Sequence, residues 1–231
     1  MARKKNNIVQ NRARRLIAND DPKSPIAEQF RTIRTNLEFS SVDSKLETML
    51  VTSASPSEGK SITTGNTAVV FAQQGKKVLL VDADLRKPTI HYTFRLNNTM
   101  GLSNYLVNDY AINDIINETH VENLDVVTCG PIPPNPSELL GSMKMQRFIQ
   151  EAKNHYDMII FDTPPVLAVA DSQILSNFVD GVLLVLRSKQ TEQEAAIKAK
   201  EQLVQAKANI LGAVLNDREV KYSNYYYYYG Q

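Results

Sequence analysis

Ser53-Ala-Ser-Pro-Ser-Glu-Gly-Lys-Ser61 decides how this chain is read, because it joins two stretches of opposite character. Before it runs Thr48-Met-Leu-Val-Thr52, short and apolar as a buried strand is. After it, residues 60 to 74 have the length and residue types of a helix. Gly59-Lys60-Ser61 supplies the last half of the phosphate-loop pattern Gly-x-x-x-x-Gly-Lys-[Ser/Thr], with Ala54 where the first glycine falls. The chemistry asks for these residue types. Gly59 lets the backbone come close to phosphate, and N–H groups of the loop and helix start face the negative charge, which makes Ser57, Glu58, Gly59, Lys60, Ser61 and Ile62 the expected nucleotide contacts. Lys60 would reach the β and γ oxygens of ATP, and the Ser61 hydroxyl would bind Mg²⁺. A chance Gly-Lys-Ser in a loop is the competing reading, and the strand before and helix after count against it.

Outward from this loop, apolar runs alternate with amphipathic stretches. Residues 77–82, 124–128, 157–162, 181–186 and 210–215 read as further strands, most of them without polar alternation, as when both faces of a parallel sheet are covered. Helices are expected at about 24–41, 60–74, 142–155 and 191–207. The pattern predicts one α/β domain, a doubly wound, mostly parallel sheet with helices on both faces. A basic leader over 1–23 and a tyrosine-rich tail over 218–231 flank the domain at 24–217. Two strands end in acid: Asp82 and Asp84 close one, Asp162 the other. In a parallel sheet, carboxyl ends of adjacent strands meet at one crevice, and three carboxylates there call for a cation such as Mg²⁺. Each aspartate could singly cap a helix, but three beside a Gly-Lys-Ser loop fit that reading poorly.

Composition narrows the classes. The 231 residues are 42% apolar and 22% charged with a formal net charge of +1, ordinary for a globular chain and without a field for nucleic acid. Cys129 is the one cysteine, which fits a reducing cytoplasm and excludes a Cys-based metal centre. No apolar run approaches the length of a membrane span or a signal core. Residues 1 to 16 carry six Arg or Lys and no acid, a solvated leader or an electrostatic contact.

Several separated segments resemble the bacterial tyrosine-kinase family of capsule and exopolysaccharide synthesis, within the deviant Walker group of P-loop ATPases. They are Glu28-Gln-Phe-Arg-Thr-Ile-Arg34, Pro56-Ser-Glu-Gly-Lys-Ser61, Val81-Asp-Ala-Asp-Leu-Arg-Lys-Pro88, Gly130-Pro-Ile-Pro-Pro-Asn-Pro-Ser-Glu-Leu-Leu140, Ile160-Phe-Asp-Thr-Pro-Pro165 and the tail. The resemblance implies a kinase using ATP and Mg²⁺ that autophosphorylates tyrosines in its own tail, between subunits. In it, Lys60 binds phosphate and joins Asp82 and Asp84 as the catalytic set. Asp82 is the preferred base for the incoming tyrosine, and Ser61, Asp84 and Asp162 hold the metal. Asn216, at the end of the last strand, matches the adenine-contacting asparagine. Glu28, Arg31 and Arg34, spaced along one helical face, match an element linked to ring-like self-association.

Six of ten tyrosines, Tyr222, Tyr225, Tyr226, Tyr227, Tyr228 and Tyr229, crowd the tail, where an edge strand would instead alternate. They are the expected phosphorylation sites, and accumulated negative charge offers a way to open a ring. The resemblance is to a stand-alone cytoplasmic form, recruited to the inner face of the membrane by a separate transmembrane activator of the polysaccharide co-polymerase type, with a protein-tyrosine phosphatase as its counterpart. The alternatives are a partition or septum-type ATPase switching on DNA or membrane, and a nucleotide-gated regulatory module. Phosphate on protein separates the kinase from both.

Overall fold

The computed structural model describes residues 15–40 and 45–219. Its centre is a seven-stranded sheet of β1 (Thr48–Ser53), β2 (Val78–Asp82), β3 (Ile116–Glu118), β4 (Leu124–Val127), β5 (Met158–Asp162), β6 (Gly181–Arg187) and β7 (Ile210–Asn216). The spatial order is β3-β4-β2-β5-β1-β6-β7, and all pairs are parallel except β3 with β4. The sheet is thus the doubly wound one expected, with an antiparallel strand added at one edge.

The absence of polar alternation in the central strands has a direct cause. Side chains point to opposite faces in turn, and here both faces are covered. Leu50, Leu79, Val81, Ile159, Phe161 and Leu184 enter one apolar core. Met49, Val51, Val78, Leu80, Ile160 and Val185 enter the other. The first core is closed by α5 (Leu102–Val107), α7 (Met143–Lys153) and α9 (Gln193–Gln205), through residues such as Leu102, Phe148 and Leu203. The second is closed by α1 (Ile17–Asp20), α2 (Pro25–Phe39), α3 (Lys60–Ala72) and α4 (Ile90–Phe94), through Ala18, Leu37, Phe71 and Phe94.

Two helix starts are set by serine caps. Ser24 Oγ accepts from Ala27 N, with Pro25 at the first helical position of α2. Ser142 Oγ accepts from Met145 N at the start of α7. The remaining short helices, α6 (Pro136–Leu140) and α8 (Asp171–Leu175), lie in connections leaving the sheet.

One boundary differs from expectation. Residues 15–23, assigned by charge to the leader, belong to the folded body: Leu16 is 3% exposed and Ala18 fully buried. Asn66 in α3 fixes this segment, accepting from Ala18 N at 2.9 Å through Oδ1. The Arg and Lys content hid two apolar anchors that pack on α3. Tyr222 to Tyr229 lie outside the described residues, as does most of the basic leader.

Candidate active site

The crevice forms where β1, β5 and β2 end side by side. Parallel register sets Asp82 directly opposite Asp162, and Val51 of β1 opposite Asp162 from the other side. Sheet order therefore brings the P-loop after β1 against both acidic strand ends. Two carboxylates at neighbouring strand ends, each fully buried, require compensation.

Lys60 supplies part of it. Its Nζ donates to Asp162 Oδ1 at 2.7 Å and lies 3.8 Å from Asp84 Oδ2. Ser61 Oγ is 3.2 Å from the same ammonium. Thr64, one turn along α3 from Lys60, donates to Asp162 Oδ1 at 3.0 Å. Asp82 Oδ2 accepts from Thr89 N and Ile90 N, each at 3.0 Å, holding the start of α4. Asp84 Oδ1 accepts from Lys87 N at 3.0 Å. The other oxygens, Asp82 Oδ1 and Asp162 Oδ2, are buried without a hydrogen-bond partner. Burial pushes the Asp82 carboxyl up to about 8, helped by the neighbouring Asp162 charge and opposed by the Ile90 N–H and Lys60.

These orphaned oxygens test the fit of a metal. Three carboxyl groups face one ammonium, and Asp82 Oδ1 and Asp162 Oδ2 are buried with no hydrogen-bond partner. A divalent cation fits that donor set. Among the described residues no cluster of three or more His, Cys, Asp or Glu could hold a metal by itself. Mg²⁺ does not need one, since it takes one or two carboxylates together with phosphate and water.

The loop is shaped for an anion. Gly59 sits at φ +86°, and no side chain caps the α3 N-terminus that it opens. Glycine is also required for space: a Cβ at Gly59 would stand 2.0 Å from Asn216 Nδ2. Asn216 Nδ2 donates to Glu58 O at 2.9 Å, so the end of β7 lies on the loop. The Glu58 carboxylate faces inward, accepting from Ser55 N at 3.0 Å and from Thr191 Oγ1. Ser57, with φ +67°, has its carbonyl held by Arg187.

One basic residue just beyond the acidic pair, Arg86, is anchored. Arg86 forms a paired contact with the buried Asp171, Nε to Oδ2 at 2.9 Å and Nη2 to Oδ1 at 3.0 Å, and reaches Ser137 Oγ at 3.0 Å. Arg86 lies in an exposed bend and ties the end of β2 to the start of α8. Thr64, Arg187 and Thr191 escaped the sequence reading. Thr64 was findable from its four-residue spacing to Lys60, whereas the other two depend on β6 lying beside β1. Cys129, near the crevice, has its thiol pushed up to about 12 by burial, then by Asp82 and Asp84. The residues predicted for self-association lie elsewhere: Arg31 pairs with Glu28, and Arg34 Nη1 donates to Val70 O at 3.0 Å.

A groove of about 610 Å³ is lined by Met143, Gln146, Phe178 and Asp180 and holds none of the predicted site residues. It opens near the amino ends of the strands, away from the P-loop.

Strand, phosphate loop, helix and strand-end aspartates together define a P-loop NTPase fold of the deviant Walker type. The profile described as an AAA domain matches residues 47–214. Tyrosine-protein kinase YwqD of Bacillus subtilis (strain 168) is 54% identical over 217 residues, 94% of this chain and 92% of that protein. Putative tyrosine-protein kinase CapB of Staphylococcus aureus is 46% identical over 232 residues, covering both chains fully. The kinase domain of Escherichia coli tyrosine kinase ETK superposes with a TM-score of 0.86 at 37% identity, over 91% of this chain and 83% of that one. The chain belongs to the bacterial tyrosine-kinase family, and its enzyme class is protein-tyrosine kinase. Kinase, rather than partition-type ATPase, is the reading these relatives support.

Proposed function

We propose that this chain transfers the γ-phosphoryl group of ATP to tyrosines of its own C-terminal cluster, Tyr222 and Tyr225 to Tyr229, between subunits of a ring-like homo-oligomer. The observation that carries the reading is the placement of Lys60 among Asp82, Asp84 and Asp162, beside a helix start that no side chain caps. Phosphoryl transfer demands charge neutralisation and alignment more than covalent help. Backbone N–H groups from Ser57 to Ile62 bind the phosphates, and Gly59 allows the approach. Lys60 exchanges its contact with Asp162 for the β and γ oxygens and balances charge as the bridging bond breaks. Asn216 orients the adenine.

Mg²⁺, when bound, neutralises charge on the phosphates; Ser61, Asp84 and Asp162 are the residues that hold it. Asp82 takes the proton of the attacking tyrosine hydroxyl. Tyrosine has a pKa of about 10, so its hydroxyl needs an ionised carboxylate beside the attacking oxygen, and Asp82 supplies it in its deprotonated form. The proton moves from the phenol to Asp82 as the phenolic oxygen bonds to phosphorus and ADP leaves.

Glu28, Arg31 and Arg34 form the oligomer contact in this reading. No helix among the described residues is long and apolar enough to cross a membrane. In this reading the chain works in the cytoplasm, brought to the inner membrane face by a transmembrane activator of the co-polymerase type. A protein-tyrosine phosphatase resets it, and the cycle regulates capsular or exopolysaccharide synthesis. Incubation with Mg-ATP and activator-bearing membranes, followed by mass-spectrometric mapping, tests the activity. Phosphotyrosine is expected within Tyr222–Tyr229 and lost in Lys60→Ala; an unphosphorylated wild-type tail would overturn the reading.

A further inference from the structure

The root of the tail is tied to the P-loop of its own chain. Arg187, the last residue of β6, spans the gap: its Nη1 donates to Ser57 O at 3.1 Å, while Nε and Nη2 donate to Asp217 Oδ2 at 3.0 and 2.8 Å. Asp217 is the first residue after β7, the strand that leads into the tail. Around this bridge the backbone takes unusual forms, with Ser57, Lys189 and Asp217 all at positive φ, between 57° and 67°. Non-glycine residues adopt that region only where surrounding contacts impose it. Two further links run parallel to the bridge: Asn216 Nδ2 holds Glu58 O, and Thr191 Oγ1 holds the Glu58 carboxylate while accepting from Arg187 N at 2.7 Å.

We propose that Arg187 is a positioning residue that transmits occupancy of the phosphate loop to the root of the tail, an inference resting on the nucleotide reading above. The ion pair itself contributes little stability, since the Arg187 and Asp217 side chains are 33% and 61% exposed. Its use is geometric. The planar guanidinium offers donors in a fixed fork, so one side chain can hold a loop carbonyl and a carboxylate at once. Anything that shifts the Ser57 carbonyl must move the guanidinium or break one of its contacts. Phosphate bound by the loop N–H groups fixes Ser57, which fixes Arg187, which fixes where the chain leaves β7. Lysine has three donors but no planar fork, so it would not hold both acceptors in this fixed geometry.

The two ends of the bridge separate by substitution. Arg187→Met removes both contacts, and Asp217→Asn keeps the loop contact while removing the tail-side charge. Titration of the full chain with Mg-ADP by calorimetry gives affinity, and backbone amide shifts of Asp217, Arg218 and Glu219 report the tail root. In the wild type, Mg-ADP is expected to shift these amides. In Arg187→Met, affinity falls about three- to tenfold, near 1 kcal/mol, and the shifts vanish at saturation. In Asp217→Asn, affinity stays within about twofold while the shifts are lost. Retention of the wild-type shifts in Arg187→Met or in Asp217→Asn would overturn the bridge. Failure of the wild-type chain to bind Mg-ADP at all would overturn the nucleotide reading, and the bridge with it.

Discussion

Lys60 and Asp162 illustrate how closely stability and chemistry are joined at this site. Replacing Lys60 with Met removes the charge that faces the buried Asp162, and breaking such a pair costs about 3–5 kcal/mol. Tail phosphorylation is expected to fall at least about a hundredfold, as when a group aimed at developing charge is lost. Urea unfolding and a phosphotyrosine time course measure the two effects on one sample. Asp82 makes a prediction of opposite sense. Its carboxyl is raised to about 8 in the folded chain against an ordinary 3.8, so between those values the native state holds a proton that the unfolded state has released. Stability without nucleotide should therefore decline as pH rises from about 4 to about 8. Asp82→Asn removes that slope, and thermal midpoints of both proteins at pH 6 and pH 8 check it. A wild-type chain that gains stability towards pH 8 relative to Asp82→Asn would show the sign to be wrong.

At the scale of elements, the junction of β1 and α3 is the most constrained part of the chain. Gly59→Ala places a methyl group 2.0 Å from Asn216 Nδ2 and adds a side chain at φ +86°. The expected cost is about 1–3 kcal/mol, with Mg-ADP affinity lowered as Asn216 is displaced from Glu58; unchanged affinity by calorimetry would contradict the packing. The same junction explains what was legible in the sequence. Six strands could be read because each carries an apolar run, buried at the sheet centre and only half-buried in β7, and Asp82, Asp84 and Asp162 because acid at a strand end is conspicuous. β3 could not, being three residues of Ile-Asn-Glu whose pairing is antiparallel and which are only partly buried. The helices α4, α5, α6 and α8 have five or six residues, too few to show a 3.6-residue period. Arg187 was invisible for another reason. Its partners Ser57 and Asp217 are remote in sequence and meet only because β6 lies between β1 and β7.

Over the whole molecule, the proposed interface and the folded body share one helix, α2, and can be told apart by substitution. Arg31 pairs with Glu28 and also donates Nη2 to Pro22 O at 2.7 Å, so replacing both with Ala should lower the thermal midpoint by the equivalent of about 1–2 kcal/mol. Arg34 instead holds the Val70 carbonyl of α3, and Arg34→Ala should lower the midpoint by about 1.5–3 kcal/mol equivalent. In the ring reading, sedimentation shows the Glu28→Ala, Arg31→Ala protein as smaller species with its fold intact; an unchanged assembly would remove those residues from the interface. Transfer between subunits is the central claim, and a mixing experiment addresses it most directly. A Lys60→Ala chain with its tail intact is combined with an active chain whose tail tyrosines, Tyr222 and Tyr225 to Tyr229, are all Phe. Mg-ATP and activator-bearing membranes are added, and phosphotyrosine is mapped on the Lys60→Ala chain. Transfer between subunits predicts phosphate on its tail. A bare tail, while the wild-type chain alone is phosphorylated under the same conditions, would contradict it.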